Sequence, residues 1–255
     1  MNINTDINVL GSILDLNIIS AFLNTGADNA TGNVSSNNNL SNTKIKTTKS
    51  LKRYENAIKN TLVFFKDNEI KELFETVYAK EGLSDDCLLI LFLNASFNNH
   101  LLDYFNQNIF FPAFFSGRIA IKKDEIIACI NDLKNTEEAV MKWSESTSDI
   151  MASKYLALLK KFHLLEGGRN KSIKHKYIDD KQFVLFIYWL LKTDNKPNIL
   201  ENKWLPYCLL DKDTFMKRVL QKKFMKYLNV VYTGNTMKLE PLISYKDVYN
   251  ELTQS

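Results

Sequence analysis

Apolar residues in this sequence recur every three or four positions, and little interrupts them. Ile7, Leu10, Leu14, Ile18, Ala21 and Phe22 fall on one face of a helix. The same holds for Leu51, Tyr54, Ile58, Leu62 and Phe65, and for Met151, Tyr155, Leu158, Leu159 and Phe162. A period near 3.6 gathers such residues into a stripe that folding must bury. Helix breakers are scarce, with 8 Gly and 4 Pro in 255 residues. This pattern excludes collagen-like, linker-like and turn-rich all-β chains and predicts a mostly α fold. A chain of this length buries enough surface to fold without disulfides or metals. Its three cysteines, Cys87, Cys129 and Cys208, are dispersed and odd in number, which suits a reducing compartment.

Local signals place the elements. Thr47 or Thr48 caps a second helix, Ser84 a fourth, Asp124 a later one, and Asp179 or Asp180 the helix Phe183 to Leu191. Ile70, Phe74, Val77 and Tyr78 mark a third, and a fifth covers about Asn98 to Asn106. The Leu88 to Leu93 run is apolar all round and belongs at the centre of a lobe. Asn24 to about Thr48 is rich in Asn, Ser, Thr and Gly and reads as a flexible loop. Ile109 to Phe115, broken by Pro112 and closed by Gly117, reads as a packed aromatic turn, with a partner surface as the alternative. Gly234-Asn235 between two β-prone runs signals a two-residue hairpin. Two domains are expected: a helical one over 1–118, and one over 119–255 with short β-hairpins.

Charge divides the chain in the same way. Residues 1–120 carry 10 Lys and Arg against 12 Asp and Glu; residues 121–255 carry 23 against 17. Seven bases lie between Lys154 and Lys176, and six between Lys212 and Lys226, with one acid in each stretch. Such clusters suit a polyanion surface, and a solvated helix face gives the same pattern. No catalytic constellation emerges. His100, His163 and His175 stand alone, and neither a Walker motif nor a GxGxxG is present. A non-enzymatic protein without cofactor, metal or small-molecule substrate is expected. The longest apolar runs fall short of the ~18–20 residues a membrane span needs. The first twenty residues hold Asp6 and Asp15 but no base, so a cytoplasmic location is expected.

The order of elements from Asp124 to Ile178 carries the function. A helix, a short helix opened by Thr136, a polar turn from Ser144 to Ser148, an amphipathic helix and a basic β-wing form the sequence of a winged helix-turn-helix. A helix entering a major groove needs small polar or basic residues outward, here Ser146, Thr147, Ser148, Ser153 and Lys154. Lys160, Lys161, Arg169, Lys171, Lys174 and Lys176 would reach the flanking backbone, with Lys174 to Ile178 as the return strand. Asp149 opposes this reading, since it would repel phosphate. Lys222 and Lys223 sit on a second basic helix, about Asp213 to Leu228, followed by its own hairpin. A protein-interaction module built on the same fold is the alternative.

Trp143-Ser144-Glu145-Ser146-Thr147, followed by Tyr155 to Glu166, resembles the Trp-x-x-x-Thr … Leu-x-x-Leu-x-x-x-Gly-Leu-Leu signature of the BrxA family of BREX phage-defence systems. His163 stands where that signature has Gly. Leu10-Gly11-Ser12-Ile13-Leu14, Lys52-Arg53-Tyr54 and Trp204-Leu205-Pro206 also fit the family. The resemblance implies a NusB-like helical N-terminal domain, a winged-helix-like C-terminal part and binding of double-stranded DNA without catalysis. Other subunits of the defence system are the rival partners, in an adaptor role, and RNA bound by the N-terminal lobe is a third reading. Because Asn24 to Lys46 lacks a buried stripe, a nonspecific protease should cut there and leave both flanking helices intact. Protection of that stretch in the free protein, read by mass spectrometry of the fragments, would count against the loop.

Overall fold

Some helix starts follow the capping chemistry, whereas the helix expected to be capped by Asp124 starts a residue before it, behind Lys122, and holds Asp124 in its first turn. A computed structural model of the chain describes residues 3–13, 18–23, 47–194 and 196–254. The Asn-rich stretch expected to be a loop therefore lies, up to residue 46, outside the described residues. Helix α1 spans Asp6–Leu10 and stops at a turn through Gly11, short of the single long helix expected to Phe22; residues 18–23 are helical again. Helix α2 (Thr48–Ala57) begins where the Thr47 side chain accepts from the Ser50 N–H, and it runs on as a π-helical turn, Ile58–Leu62. Helices α3 (Asn68–Glu81), α4 (Asp85–Asn98) and α5 (His100–Phe105) follow, and Asp67 and Asn99 cap α3 and α5. Residues 109–115 are not a turn but helix: a π-helical turn, Asn106–Phe110, leads into α6, Phe111–Phe115. Pro112 lies within a helical run that is continuous from residue 100 to 115, directly after the π-turn, a local widening of the kind that accompanies a ring without an N–H.

Helices α7 (Lys123–Lys134), α8 (Glu138–Met141) and α9 (Glu145–Lys161) come next. The expected polar turn shrinks to Ser144, whose hydroxyl accepts from the Thr147 N–H at 3.1 Å, so Ser146 to Ser148 already belong to α9. Strands β1 (Leu165–Glu166) and β2 (Ser172–Ile173) pair antiparallel. The return strand thus lies before Lys174, because register is set by Leu165 opposite Ile173. Helix α10 (Asp180–Leu190) starts on an Asp179–Gln182 capping box. Helix α11 covers Lys212–Val219 only; a 3-10 turn, Lys222–Phe224, then leads into β3 (Leu228–Thr233) and β4 (Thr236–Pro241), joined at Gly234-Asn235 as expected. Helix α12, Val248–Gln254, ends the described chain.

The described residues fall into two compact units, interleaved along the chain. Unit 1 comprises residues 1–64, 94–110 and 119–174; unit 2 comprises 65–93, 111–118 and 175–255. The units are not consecutive halves of the chain. Helices make up 62% of the structure, and the only sheets among the described residues are small and antiparallel.

Helix α9 organises unit 1. Its face Met151, Ala152, Tyr155, Leu158 and Leu159 is buried, and it packs against α1, α7 and β1. The buried Tyr155 hydroxyl donates to Asn106 Oδ1 at 3.0 Å, and Asn106 donates to Ser96 Oγ at 3.1 Å. Asn94 Nδ2 reaches the Leu62 and Phe64 carbonyls at 2.7 and 3.1 Å, answering acceptors that the end of the π-turn leaves open. Helix α10 plays the central part in unit 2: every side chain from Phe183 to Leu190 is buried. Phe183 meets Phe215 and Phe224, Trp189 meets Trp204, and Tyr245 donates to the Tyr188 carbonyl at 3.0 Å.

Two backbone positions explain residues that the pattern alone did not. His163 has φ 59°, a left-handed conformation that favours Gly, the residue that the resembling signature has at this position. Gly11 has an ordinary φ but no room: a Cβ on it would lie 2.3 Å from the Lys154 carbonyl oxygen and 2.7 Å from the Lys154 Cβ. Gly11→Ala must push α1 off α9, and overpacking of this kind costs about 1–3 kcal/mol. A thermal melt should show Tm several degrees lower for Gly11→Ala and nearly unchanged for Ser12→Ala. Equal melting of Gly11→Ala and wild type would mean that the two backbones are not in contact.

Candidate nucleic-acid interface

The outer face of α9 is fixed by what its inner face buries. Ser146, Ile150, Ser153, Ala157 and Lys160 follow one another along the stripe opposite the core, each exposed or half-exposed. Thr147 is exposed and its hydroxyl pairs with that of Ser144 at 2.9 Å. Ser148 is placed differently from the sequence expectation: it is buried, and its hydroxyl donates to the Ser144 carbonyl. Ser153 Oγ donates back to the Asp149 carbonyl at 2.9 Å. Lys154 lies beneath Gly11, on the side of α9 that α1 covers. Asp149, the charge that opposed a phosphate-facing helix, is answered by Lys123 at 2.6 Å.

At the C-terminal end of α9 the cations converge on the β1–β2 turn. Lys160 Nζ donates to the Gly167 carbonyl and Lys171 Nζ to the Gly168 carbonyl. Gly167 has φ 88°, and a Cβ there would sit 2.4 Å from the Asn170 carbonyl, so the turn closes only with Gly. Arg169 at the tip is exposed, and Lys174 is half-exposed just past β2. Lys161 Nζ donates to the Gly11 carbonyl at 2.9 Å. Burial first, then the neighbouring charges of Lys154 and Lys171, brings its ammonium down to about 8. Lys160 and Lys171 thus meet at the turn, Lys161 lies near enough to Lys154 and Lys171 to feel their charges, and Arg169 and Lys174 belong to the turn and to the residue just past β2. An antiparallel bridge from Ala120 to Ser172, with the Ile173 N–H on the Ile119 carbonyl at 2.7 Å, adds a third short segment beside β2.

The remaining candidates belong to unit 2. Lys176 pairs with Asp85, Lys223 pairs with Asp180, and Lys222 is exposed. Among the described residues no group of three or more His, Cys, Asp or Glu could hold a metal ion. Burial pushes the thiols of Cys87 and Cys208 up to about 12 and that of Cys129 up to about 11, which keeps all three as poor nucleophiles. No described helix is long and apolar enough to cross a membrane.

A family model described as BrxA matches residues 16–187. The chain belongs to the BrxA family. The matched stretch holds α9, the β1–β2 turn and every candidate residue except Lys222 and Lys223. Membership makes it a BREX-associated defence protein. No curated protein and no solved structure matches the chain. Two features of this BrxA protein escaped the sequence reading. Ile150, 45% exposed, stands in the middle of the outer α9 stripe, and a helical count from Ser146 would have found it. Lys123 neutralises Asp149 from 26 positions away, and nothing local announces that pair.

The depressed Lys161 gives a pH signature. Its folded pKa lies below the ordinary 10.5, so between about pH 8 and 10.5 the unfolded chain holds more protons than the folded one. Stability contributed by this group therefore rises with pH across that window. Lys161→Met removes the contribution along with the hydrogen bond to Gly11. The Tm of that variant relative to wild type should accordingly fall as the pH is raised from 7 to 10. A relative Tm of the variant that stays constant or rises over that range would show that the ammonium is not held down.

Proposed function

We propose that this BrxA protein binds double-stranded DNA through unit 1 and carries out no catalysis of its own. The observation behind this reading is the meeting of cations from two elements, α9 and the β1–β2 turn. The order supports it as well: a short segment at Ala120, then α7, α8 and α9, then β1 and β2, with β2 paired to both other segments. We take this order as that of a winged helix-turn-helix, in which the last helix would enter the major groove and the turn would lie on the adjacent backbone. Ser146, Ile150 and Ser153 would then face base edges; an apolar Ile side chain suits a thymine methyl. Arg169, Lys171 and Lys174 would lie against phosphates, which carry affinity rather than sequence. The NusB-like character of the N-terminal helices belongs to the same reading and rests on the family.

A second reading has its own support. Met141 and Ile150 are 57% and 45% exposed, and Ile119 is 81% exposed. Apolar residues on the outer side of unit 1 would suit an adaptor that docks another subunit of the defence system.

Salt dependence separates the two. Each phosphate neutralised on duplex DNA contributes about 0.9 to the fall of log K with log salt. Replacing Arg169, Lys171 and Lys174 together by Gln should weaken binding to all duplexes about equally and flatten the slope by roughly two to three units. Fluorescence anisotropy at several salt concentrations reads both. Unchanged affinity and slope would remove the β1–β2 turn from the DNA and give the adaptor reading the lead.

A further inference from the structure

Unit 2 holds a cleft that the duplex reading does not use. Its volume is about 530 Å³, the size of a small-ligand site, and its walls are aromatic at Phe114, Phe115, His175 and Tyr177 and aliphatic at Leu209 and Leu210. These rings are held in place rather than loose. Phe115 packs edge-on to Phe114 at 5.4 Å between centroids, Phe114 lies 5.1 Å from the His175 ring, and His175 Nε2 is 2.8 Å from the Arg118 carbonyl. Tyr177 is the exception. It is 73% exposed and has no hydrogen bond or ring partner among the described residues. Phe115 is 44% exposed. A folding chain gains nothing by leaving two large rings in water at the mouth of a cleft, so an occupant is the physical explanation.

The other edge of the cleft is polar and equally fixed. The Arg218 guanidinium donates to the Ile178 carbonyl at 2.8 Å and to Asp180 at 2.9 Å and stacks over Phe183. Asp211 accepts from the Thr214 N–H and hydroxyl, which hold its carboxyl below the usual range and leave it lone pairs for a further donor. Cations border the aromatic segments: Arg118 follows Gly117, and Lys176, which shares its charge with Asp85, stands between His175 and Tyr177. Flat π-surfaces, one carboxylate able to accept from an N–H, and flanking positive charge match a nucleobase on its phosphate chain. An apolar side chain of a protein partner would leave the polar edge unanswered.

We propose that this cleft binds an unpaired nucleobase of a single strand, stacked on Tyr177 and Phe115, with the strand backbone along Arg118 and Lys176. The site goes beyond the duplex reading and is carried by different residues in a different unit. Stacking on an aromatic side chain tolerates any base, so the cleft selects for an unpaired base rather than a sequence.

The test uses the full chain and a labelled twelve-residue thymidine strand, with anisotropy as the readout. Tyr177→Ala should weaken binding by between about five-fold and a hundred-fold, and Tyr177→Trp should restore it. Wild type should bind an abasic strand of the same length more weakly by a similar factor, since that strand keeps its phosphates but has no π-face. Duplex affinity should not respond to Tyr177→Ala. The proposal is overturned if wild type does not bind the thymidine strand, if Tyr177→Ala binds it as wild type does, or if the abasic strand binds equally well. Loss of duplex binding would fall on the proposed function alone and leave these three outcomes intact.

Discussion

The burial of one face of α9 is the constraint from which unit 1 follows. Met151, Tyr155, Leu158 and Leu159 leave the helix no rotation about its axis that would not bring apolar area into water, at roughly 25 cal/mol per Å². Tyr155 adds a direction to that constraint. Its hydroxyl has Asn106 Oδ1 as partner in a fully buried setting, and a rotated helix would separate them. The approach of Gly11 to Lys154 fixes the helix from the other side. The outer stripe is therefore not chosen for itself; it is what remains once three neighbours have been satisfied. A surface that must present donors to a stiff partner profits from such fixation, because little ordering entropy is left to lose on binding.

Much of the local structure was legible because it rests on local chemistry. Thr47 and Asp179 each cap a helix through a side chain and an N–H three residues on, and Gly234-Asn235 closes its hairpin within four residues. Expectations that needed distant partners fared differently. The return strand was placed too late because its register depends on Leu165 and on Ala120, neither of which marks residues 172–173 in the sequence. Pro112 signals a turn in residues 109–115, yet the helix runs through it, because the π-turn just before it changes the bonding that a proline would break. The single N-terminal helix was expected from its stripe, but the wedge of Gly11 against α9 is a tertiary event.

The candidate site shows the same split. The basic residues of α9 and the β1–β2 turn were visible as a run of charge, and their meeting at the turn follows from a short hairpin after a helix. What charge counting could not see is which cations are already engaged. Lys160 and Lys171 hold the carbonyls of the turn itself, Lys161 holds Gly11, and Lys176 answers Asp85 in the other unit. These lysines shape the surface as much as they charge it.

The interleaving of the two units bears on how the chain is made. Translation delivers residues 1–64 of unit 1 first, then 65–93, which belong to unit 2 and whose partners in α12 and at Tyr207 are still more than a hundred residues from synthesis. Unit 1 can close only when residue 174 has emerged, and unit 2 only when the final helix has. Through that interval the Leu88 to Leu93 run has no permanent cover, so the nascent chain is a natural client for a holding chaperone. For the same reason no single cut yields two fragments that each contain a whole unit.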